Sequence, residues 1–273
     1  MATTLKKKAT EVVGLDQSIL EMDSGLGNKE IDQDTLSIPF LKTNLSPAVL
    51  DENRGAVKGD MYNTVTAEIF DREKGVLVLP CAFQRRFIHW SALGDDQKAP
   101  IAIYEKMSDC PKTERLKKSE GDNKDYLVDG SGHYIEDTHQ HYVLVCKPDG
   151  TMDAVMIAMK STSLKASRKW NSLISTRRKQ RQDGSMFVPP RFLYLYKLST
   201  YKESGKKGDY FVWDVKLEKE LSNLNAYNEA KAFALSVEKG DVDVKHEQEV
   251  KDVAPTPEPP VRDEEPLQKD IPF

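Results

Sequence analysis

The sequence has few cysteines and no long apolar run. Its three cysteines, Cys81, Cys110 and Cys146, are too scattered for a disulfide framework or for a zinc cluster built on CxxC spacing. No segment approaches the roughly 18 apolar residues of a membrane span, and the N-terminal residues lack the apolar core of a signal peptide. These absences predict a soluble protein in a reducing, intracellular compartment.

Motifs for catalysis and metal binding are also missing. The chain contains no P-loop, GxSxG or HExxH motif and no trio of carboxylates with nuclease-like spacing. His133, His139 and His141 lie near Glu136 and Asp137, but no fourth ligand follows at close spacing, so we expect these histidines to be structural. We therefore predict a protein that is not an enzyme and has no metal or other cofactor.

Charge is unevenly distributed along the chain, although the formal net charge is only −4. Residues 160–207 carry thirteen Lys and Arg and only two acidic residues, Asp183 and Glu203, which gives a local net charge of +11. Residues 238–273 carry eleven Asp and Glu against five Lys and Arg, a local net charge of −6. A basic centre followed by an acidic tail is typical of a protein that binds a polyanion.

Composition divides the chain into three parts. Residues 1–35 are polar and lack sustained periodicity, which predicts a flexible arm with a short helix near 16–22. Residues 36–237 carry the patterns of a folded core, in which 92–137 has few apolar anchors and is predicted to be a long, partly mobile excursion. Residues 238–273 are acidic and proline-rich, which predicts a disordered tail.

The core is predicted to be mainly β with helices. Apolar alternation and turn residues indicate strands at 58–69, 75–90, 141–146, 154–159, 191–201 and 209–217, and helices at about 163–182 and 217–235. Lys147-Pro148-Asp149-Gly150 is a strong hairpin signal. This pattern favours a five-stranded barrel of the OB type with elaborations. An open α+β sheet is the competing architecture, since strand count alone does not fix topology.

Aromatic residues alternate along one predicted strand. From Arg191 to Lys197, the rings of Phe192, Tyr194 and Tyr196 would share one face. Bases of any sequence can stack on such rings while lysine and arginine follow the phosphates. We expect Phe192 to lie in the core, together with Trp213 of the next strand, and the phenols of Tyr194 and Tyr196 to reach the surface.

Basic residues accompany these aromatics on the predicted helix and strands. Ala166, Trp170, Leu173 and Ile174 would form the apolar stripe of the helix, which makes Trp170 a packing residue and leaves a basic face beside it. The candidate DNA-binding residues are Arg85, Arg86, Lys160, Lys165, Arg168, Lys169, Arg177, Arg178, Lys179, Arg191, Tyr194, Tyr196 and Lys197.

The sequence ends in an apolar tip, Asp270-Ile271-Pro272-Phe273, on an acidic tether. The Phe273 ring can fill a pocket on a partner, its carboxylate can pair with a basic residue there, and Pro272 lowers the ordering cost. This ending resembles the C-terminal tip of bacterial single-stranded DNA-binding proteins. The resemblance implies that Asp270, Ile271, Pro272 and Phe273 bind host or phage replication and repair proteins.

Segments 58–90 and 153–180 are similar to a group of bacteriophage single-stranded DNA-binding proteins, through Lys58-Gly59-Asp60 and Arg168-Lys169-Trp170. This resemblance implies a protein that binds single-stranded DNA without sequence preference during phage replication, recombination and repair, in the host-cell cytoplasm. Three alternatives remain open: a single-strand annealing recombinase, a nuclease with unrecognised ligands, and a structural virion protein whose basic patch touches packaged nucleic acid.

Overall fold

The computed structural model describes residues 17–24, 26, 37–43, 56–115, 124–205, 208–242, 244 and 246. Its strands are β1 (Leu41–Lys42), β2 (Met61–Asn63), β3 (Ile69–Phe70), β4 (Val76–Trp90), β5 (Ala102–Tyr104), β6 (Thr113–Arg115), β7 (Asp125–Leu127), β8 (Tyr134–Cys146), β9 (Met152–Lys160), β10 (Lys179–Gln180), β11 (Met186–Phe187), β12 (Tyr194–Gly205) and β13 (Gly208–Glu220). Its α-helices are α1 (Gln17–Met22), α2 (Leu164–Ser175) and α3 (Leu224–Lys239). The prediction of a mainly β fold with helices is confirmed.

Eight strands form one antiparallel sheet. Its five long strands lie in the order β13-β12-β4-β8-β9, and α2 comes between β9 and β12 in the chain. At the other end of β4 and β8, β5 pairs with β4, while β7 and β6 extend the sheet from β8. In the described part of the chain, β9 and β13 do not pair, so the sheet is a curled half-barrel. The five-stranded OB barrel stays a prediction.

A bulge reverses which residues of β4 face α2. The register of β4 against β8 shifts between Pro80 and Ala82, and proline is tolerated at such a break because it has no N–H to donate. Val78 faces the α2 side before the bulge, whereas Phe83 and Arg85 face that side after it. The bulge therefore brings an aromatic ring and an arginine beside α2.

Helix α2 fills the concave side of the sheet. Ala166, Trp170 and Ile174 are spaced four residues apart and are buried, which is the pattern of an amphipathic helix. They pack on a cluster drawn from all five long strands, which includes Val78, Val143, Ile157, Leu198 and Val215. Trp170 is 0% exposed. The prediction that Trp170 is a packing residue is confirmed.

Helix α3 covers the opposite side of the sheet. It begins at residue 224, seven residues after the predicted start at 217, because β13 continues to Glu220 and Asn223 caps the helix. The Asn223 side chain accepts hydrogen bonds from two backbone N–H groups of the first turn. Buried Ala230 and Ala234 pack on β4 and β8. No helix in the described residues is long and apolar enough to cross a membrane.

The packed part of the chain continues past the predicted boundary at residue 237. Val242 and Val244 pack beside Tyr142. His246 is 9% exposed, and its Nε2 lies 2.7 Å from the amide Nε2 of Gln140. The predicted segment 92–137 contains β5, β6, β7 and the first residues of β8. Most of the predicted arm and tail lies outside the described residues.

The helix predicted to reach residue 182 ends at Ser175. The Thr176 hydroxyl donates to the Ser172 carbonyl, 2.8 Å away, and the chain then enters the hairpin of β10 and β11. Asp183-Gly184 is the turn of this hairpin rather than a helix end. Arg191, predicted to begin a strand, instead begins a short 3-10 turn, Arg191–Leu193, ahead of β12.

Candidate nucleic-acid interface

Five of the predicted DNA-binding residues are already engaged by carboxylates. These ion pairs are Arg85–Asp137 at 2.8 Å, Arg86–Glu105 at 3.5 Å, Lys160–Glu136 at 3.2 Å, Lys169–Asp214 at 3.3 Å and Lys179–Glu220 at 2.6 Å. The Arg85 pair is bidentate, and it raises the pKa of Arg85 through hydrogen bonding to Asp137. A phosphate would have to compete with these carboxylates.

The remaining predicted basic residues have no carboxylate oxygen within 4.0 Å among the described residues. They are Lys165, Arg168, Arg177, Arg178, Arg191 and Lys197. Hydrogen bonds from Tyr210 and Tyr201 lower the pKa of Glu203, and the charge of nearby Lys165 adds a smaller effect in the same direction. Lys197 pairs across the ladder with Leu77, on the face turned away from α2. We call the other four, Arg168, Arg177, Arg178 and Arg191, the arginine band.

The arginine band borders one side of α2. Arg168 lies near His139 and, with burial as the main cause, its charge helps to lower the pKa of that imidazole. The ring of Phe83 contacts His139 edge-on, with centroids 5.3 Å apart. Arg191 lies over Phe83 and donates from Nη2 to Asn171 Oδ1 at 3.0 Å. Arg168 of α2 and Arg191 of the 3-10 turn are therefore brought together beside Phe83 of β4.

Three arginines near α2 each lie over an aromatic ring that is partly exposed. The distances from Cζ to the ring centroid are 5.6 Å for Arg191 over Phe83, 5.6 Å for Arg177 over Tyr194 and 5.0 Å for Arg181 over Phe187. Guanidinium planes and aromatic rings both offer a flat surface to a nucleobase. Each pair therefore sets a positive charge beside a ring on which a base could stack.

Two buried histidines form the floor beneath Phe83. His139 Nδ1 and His141 Nε2 each lie 2.7 Å from the Ser167 hydroxyl. Burial lowers the pKa of both imidazoles, and that of His141 falls well below 6.5. Both rings are therefore neutral near pH 7 and add no charge to the surface above them.

Tyr196 was expected at the surface, and this prediction is wrong. Its side chain is 0% exposed and packs edge-on against Trp170. Residues 194 and 196 do share a face of β12, but that face is the inside of the curl. Tyr194, nearer the rim, remains partly exposed. Phe192 and Trp213, expected in the core, are 8% and 4% exposed, which confirms their placement.

A groove of about 600 Å³ lies at the opposite end of α2, where β9 leads into the helix. Its walls include Trp90, Tyr134 and Phe211. Its basic residues are largely matched by acids: Lys160 contacts Glu136, and Arg115 contacts Asp125. The groove therefore offers aromatic surface but much less uncompensated positive charge than the arginine band.

The histidines considered as metal ligands have other partners. His133 Nδ1 lies 3.2 Å from His89 Nε2, while His139 and His141 share Ser167. Across the described ranges, no group of three or more His, Cys, Asp or Glu side chains is placed to hold a metal ion. The predicted partner-binding residues, Asp270, Ile271, Pro272 and Phe273, lie outside the described residues.

The sequence did not single out Asn171 or the Arg181–Phe187 pair. Asn171 lies one residue after Trp170 on α2, and the carboxamide has no periodic signature of its own. Phe187 pairs with Lys179 across the β10–β11 hairpin, whose residues 179–182 had been assigned to a helix. Recognising that hairpin would have placed Arg181 and Phe187 together.

A family model described as Pam3 phage gp34-like protein matches residues 8–243. Searches of curated proteins and of solved structures give no match.

Proposed function

The chain belongs to the Pam3 phage gp34-like family, and from that premise we propose that this phage protein binds single-stranded DNA without sequence preference. The observation that carries the proposal is the arginine band together with three arginine–ring pairs, two made by Arg177 and Arg191 of the band and the third by Arg181. Unpaired arginines supply charge for phosphates, and the rings supply stacking surface for unpaired bases.

The energetics favour the band over the lysines nearby. Phosphate contacts dominate affinity for nucleic acid because each one releases counterions. Arg168 and Arg178 are exposed and have no carboxylate partner in the described part of the chain, whereas Lys169 and Lys179 are held by Asp214 and Glu220. Each base stacked on an aromatic side chain contributes roughly 1–3 kcal/mol, and stacking requires bases that are not paired. We therefore expect single strands to be preferred over duplex.

The strand order of the sheet supports assigning the core to an OB-like fold, and we include this assignment in the proposal. Counted in chain order, the five long strands lie in the spatial order 5-4-1-2-3, with α2 between the third and the fourth. That order is the one expected of an OB barrel opened between its third and fifth strands. OB proteins commonly bind oligonucleotides on the second and third strands. Here α3 and Val242 pack on the outer side of those strands, so we place the DNA on the arginine band.

In the proposed role the protein coats single-stranded DNA during phage replication, recombination and repair, in the host cytoplasm and without catalysis of its own. The acidic segment that ends in Asp270, Ile271, Pro272 and Phe273 would recruit replication and repair proteins of the host or phage. The net charge of −6 on residues 238–273 supports this role, because DNA phosphates repel an acidic segment and leave it free for a protein partner.

A binding titration tests the proposal. A labelled single-stranded oligonucleotide of mixed sequence and its duplex are titrated with the full-length protein, and fluorescence anisotropy reports binding. We expect at least about tenfold tighter binding to the single strand, as one stacked base would supply, and falling affinity as salt rises. Equal affinity for both forms would contradict the proposal, and duplex formation from added complementary strands would favour an annealing protein.

A further inference from the structure

Arg191 is a mostly buried cation whose partners among the described residues are the ring of Phe83 and the Asn171 side chain. Its guanidinium has five N–H donors, and one hydrogen bond, from Nη2 to Asn171, is made within the described residues. The Nε atom is buried and has no partner there. No carboxylate oxygen among the described residues lies within 4.0 Å of this group. Burial lowers the pKa of Arg191 to about 10, so the side chain is charged at neutral pH.

Further buried polar atoms surround Arg191, and these also lack partners. The Trp170 indole Nε1 and the Tyr196 hydroxyl make no hydrogen bond within the described residues, and neither does His141 Nδ1. Three of these side chains are in contact, because Trp170 packs against both His141 and Tyr196. Arg191 and His141 both contact Phe83. The charge of Arg191 acts on His141 and Tyr196, adding to burial in lowering the pKa of His141 and opposing burial at Tyr196. Buried polar atoms without partners among the described residues are thus concentrated in one place.

Buried polar groups are normally paired, and a buried charge without a partner is costly. A neutral water could accept some of these hydrogen bonds, but it would leave the positive charge uncompensated. An anion would accept these hydrogen bonds and would also compensate the positive charge. Arg177, in the adjoining arginine band, also acts on Tyr196, so the positive charge continues from this site to the surface.

We propose that Arg191, with Asn171, Trp170 and Tyr196, forms a binding site for a single phosphate group. The inference rests in part on the proposed function, because a phosphate of bound DNA is one source of that group and free inorganic phosphate is the other. Arginine suits the role because its planar fork presents several donors to one tetrahedral oxyanion. The site would fix one phosphate in register with the rings of the arginine band.

Inorganic phosphate is the first probe. Thermal unfolding of the full-length protein is followed in increasing phosphate, with chloride and sulfate at matched ionic strength as controls. We expect phosphate to raise the unfolding temperature more than chloride does, as mass action requires of a ligand that binds the native state. The shift should be lost in Arg191→Met. Without phosphate, that variant should be at least as stable as the parent, because an apolar group replaces an uncompensated charge.

Tyr196→Phe keeps every charge and removes one orphaned hydroxyl. It should fold as well as the parent and need at least about tenfold more phosphate for the same shift, which corresponds to the loss of one hydrogen bond to a charged group. A larger shift from chloride than from phosphate would assign a halide site and overturn the proposal. Equal phosphate shifts in the parent, Arg191→Met and Tyr196→Phe would also overturn it.

A DNA titration separates the two sources of phosphate. If Arg191→Met weakens binding of a single-stranded oligonucleotide about tenfold or more, the loss expected for a buried charged contact, the site takes a backbone phosphate. If only the inorganic phosphate response is lost, the site takes free phosphate. If Arg191→Met keeps both the DNA response and the inorganic phosphate response, the proposed site is wrong. A parent protein that responds to phosphate but binds no DNA supports the site while refuting the proposed function.

Discussion

The imidazole of His141 stacks on the indole of Trp170, with ring centroids 4.6 Å apart and planes 15° from parallel. Both side chains are 0% exposed. Ser167, one turn before Trp170 on α2, lies within hydrogen-bond distance of His141 Nε2. The stack joins α2 to the middle of β8, and it lets a polar residue occupy the concave core because the ring packs as an aromatic while one nitrogen keeps a partner.

The burial of His141 and His246 predicts that the free energy of unfolding falls in mild acid. The folded-state pKa of His141 lies well below its ordinary 6.5, and that of His246 is lowered to about 4, in both cases mainly by burial. Below pH 6.5 the unfolded chain therefore binds protons that the native state cannot, and the free energy of unfolding decreases. Urea unfolding at pH 7.5, 6.5 and 5.5 should show this loss. His246→Asn should reduce the slope, whereas constant stability over this range would contradict the account.

Trp170→Ala should destabilise the protein by about 3–5 kcal/mol, the usual cost of emptying an aromatic core position. The residue is fully buried and contacts both His141 and Tyr196. The exposed neighbours on the same helix supply a matched control. Replacing Lys165, Arg168 and Lys169 together by Gln should change the free energy of unfolding by less than about 1 kcal/mol. Urea unfolding measures both effects, and similar losses in the two variants would contradict the assigned roles.

The middle of the sheet could be predicted in part from apolar runs in the sequence. β4 and β9 follow the runs at 75–90 and 154–159, and Lys147-Pro148-Asp149-Gly150 connects β8 to β9 as expected. β8 begins at Tyr134, seven residues before the predicted run at 141–146, because its first half is largely polar and carries no apolar run. The end of α2 could not be predicted in the same way. Asp183-Gly184 is equally suited to ending a helix and to turning a hairpin, and the polar run before it favours neither.

The candidate site was harder to predict because it depends on contacts between distant parts of the chain. Alternation showed that Tyr194 and Tyr196 share a face, but the curl of the sheet decides that this face is inside. A count of charges could not separate Arg168, which has no carboxylate partner among the residues that the structure describes, from Lys169, which contacts Asp214 of β13. That distinction arises only when β13 is brought against α2.

The acidic tail gives a prediction that rests on the sequence alone. Residues 255–273 carry Glu258, Asp263, Glu264, Glu265 and Asp270 against Arg262 and Lys269. Deleting the segment should raise affinity for single-stranded DNA at low salt, because the acidic residues compete with phosphates for the arginine band. The gain should fade as the screening length falls towards 10 Å near 0.1 M salt. Anisotropy titrations at several salt concentrations would show it.

Removal of Phe273 alone separates partner binding from DNA binding. The deletion leaves the acidic residues in place, so DNA affinity should stay within about twofold of the parent, a change of the size expected for an exposed surface site. Capture of host replication and repair proteins that recognise such tips should be abolished. Equal capture by the parent and the Phe273 deletion would show that the tip is not the recruiting element.

A matched pair of double variants tests the central claim most directly. Arg168 and Arg178 are exposed and unpaired in the described structure, whereas Lys202 and Lys216, also exposed, contact Asp209 and Asp214. Each pair is changed to Gln, so both variants lose the same charge, and a single-stranded oligonucleotide is titrated at several salt concentrations. We predict that the arginine variant loses at least about tenfold in affinity and that its salt slope falls by about 1.4, the value for two phosphate contacts to a single strand. The lysine variant should change less than about threefold. Equal losses in the two variants would contradict the claim that the arginine band binds the DNA.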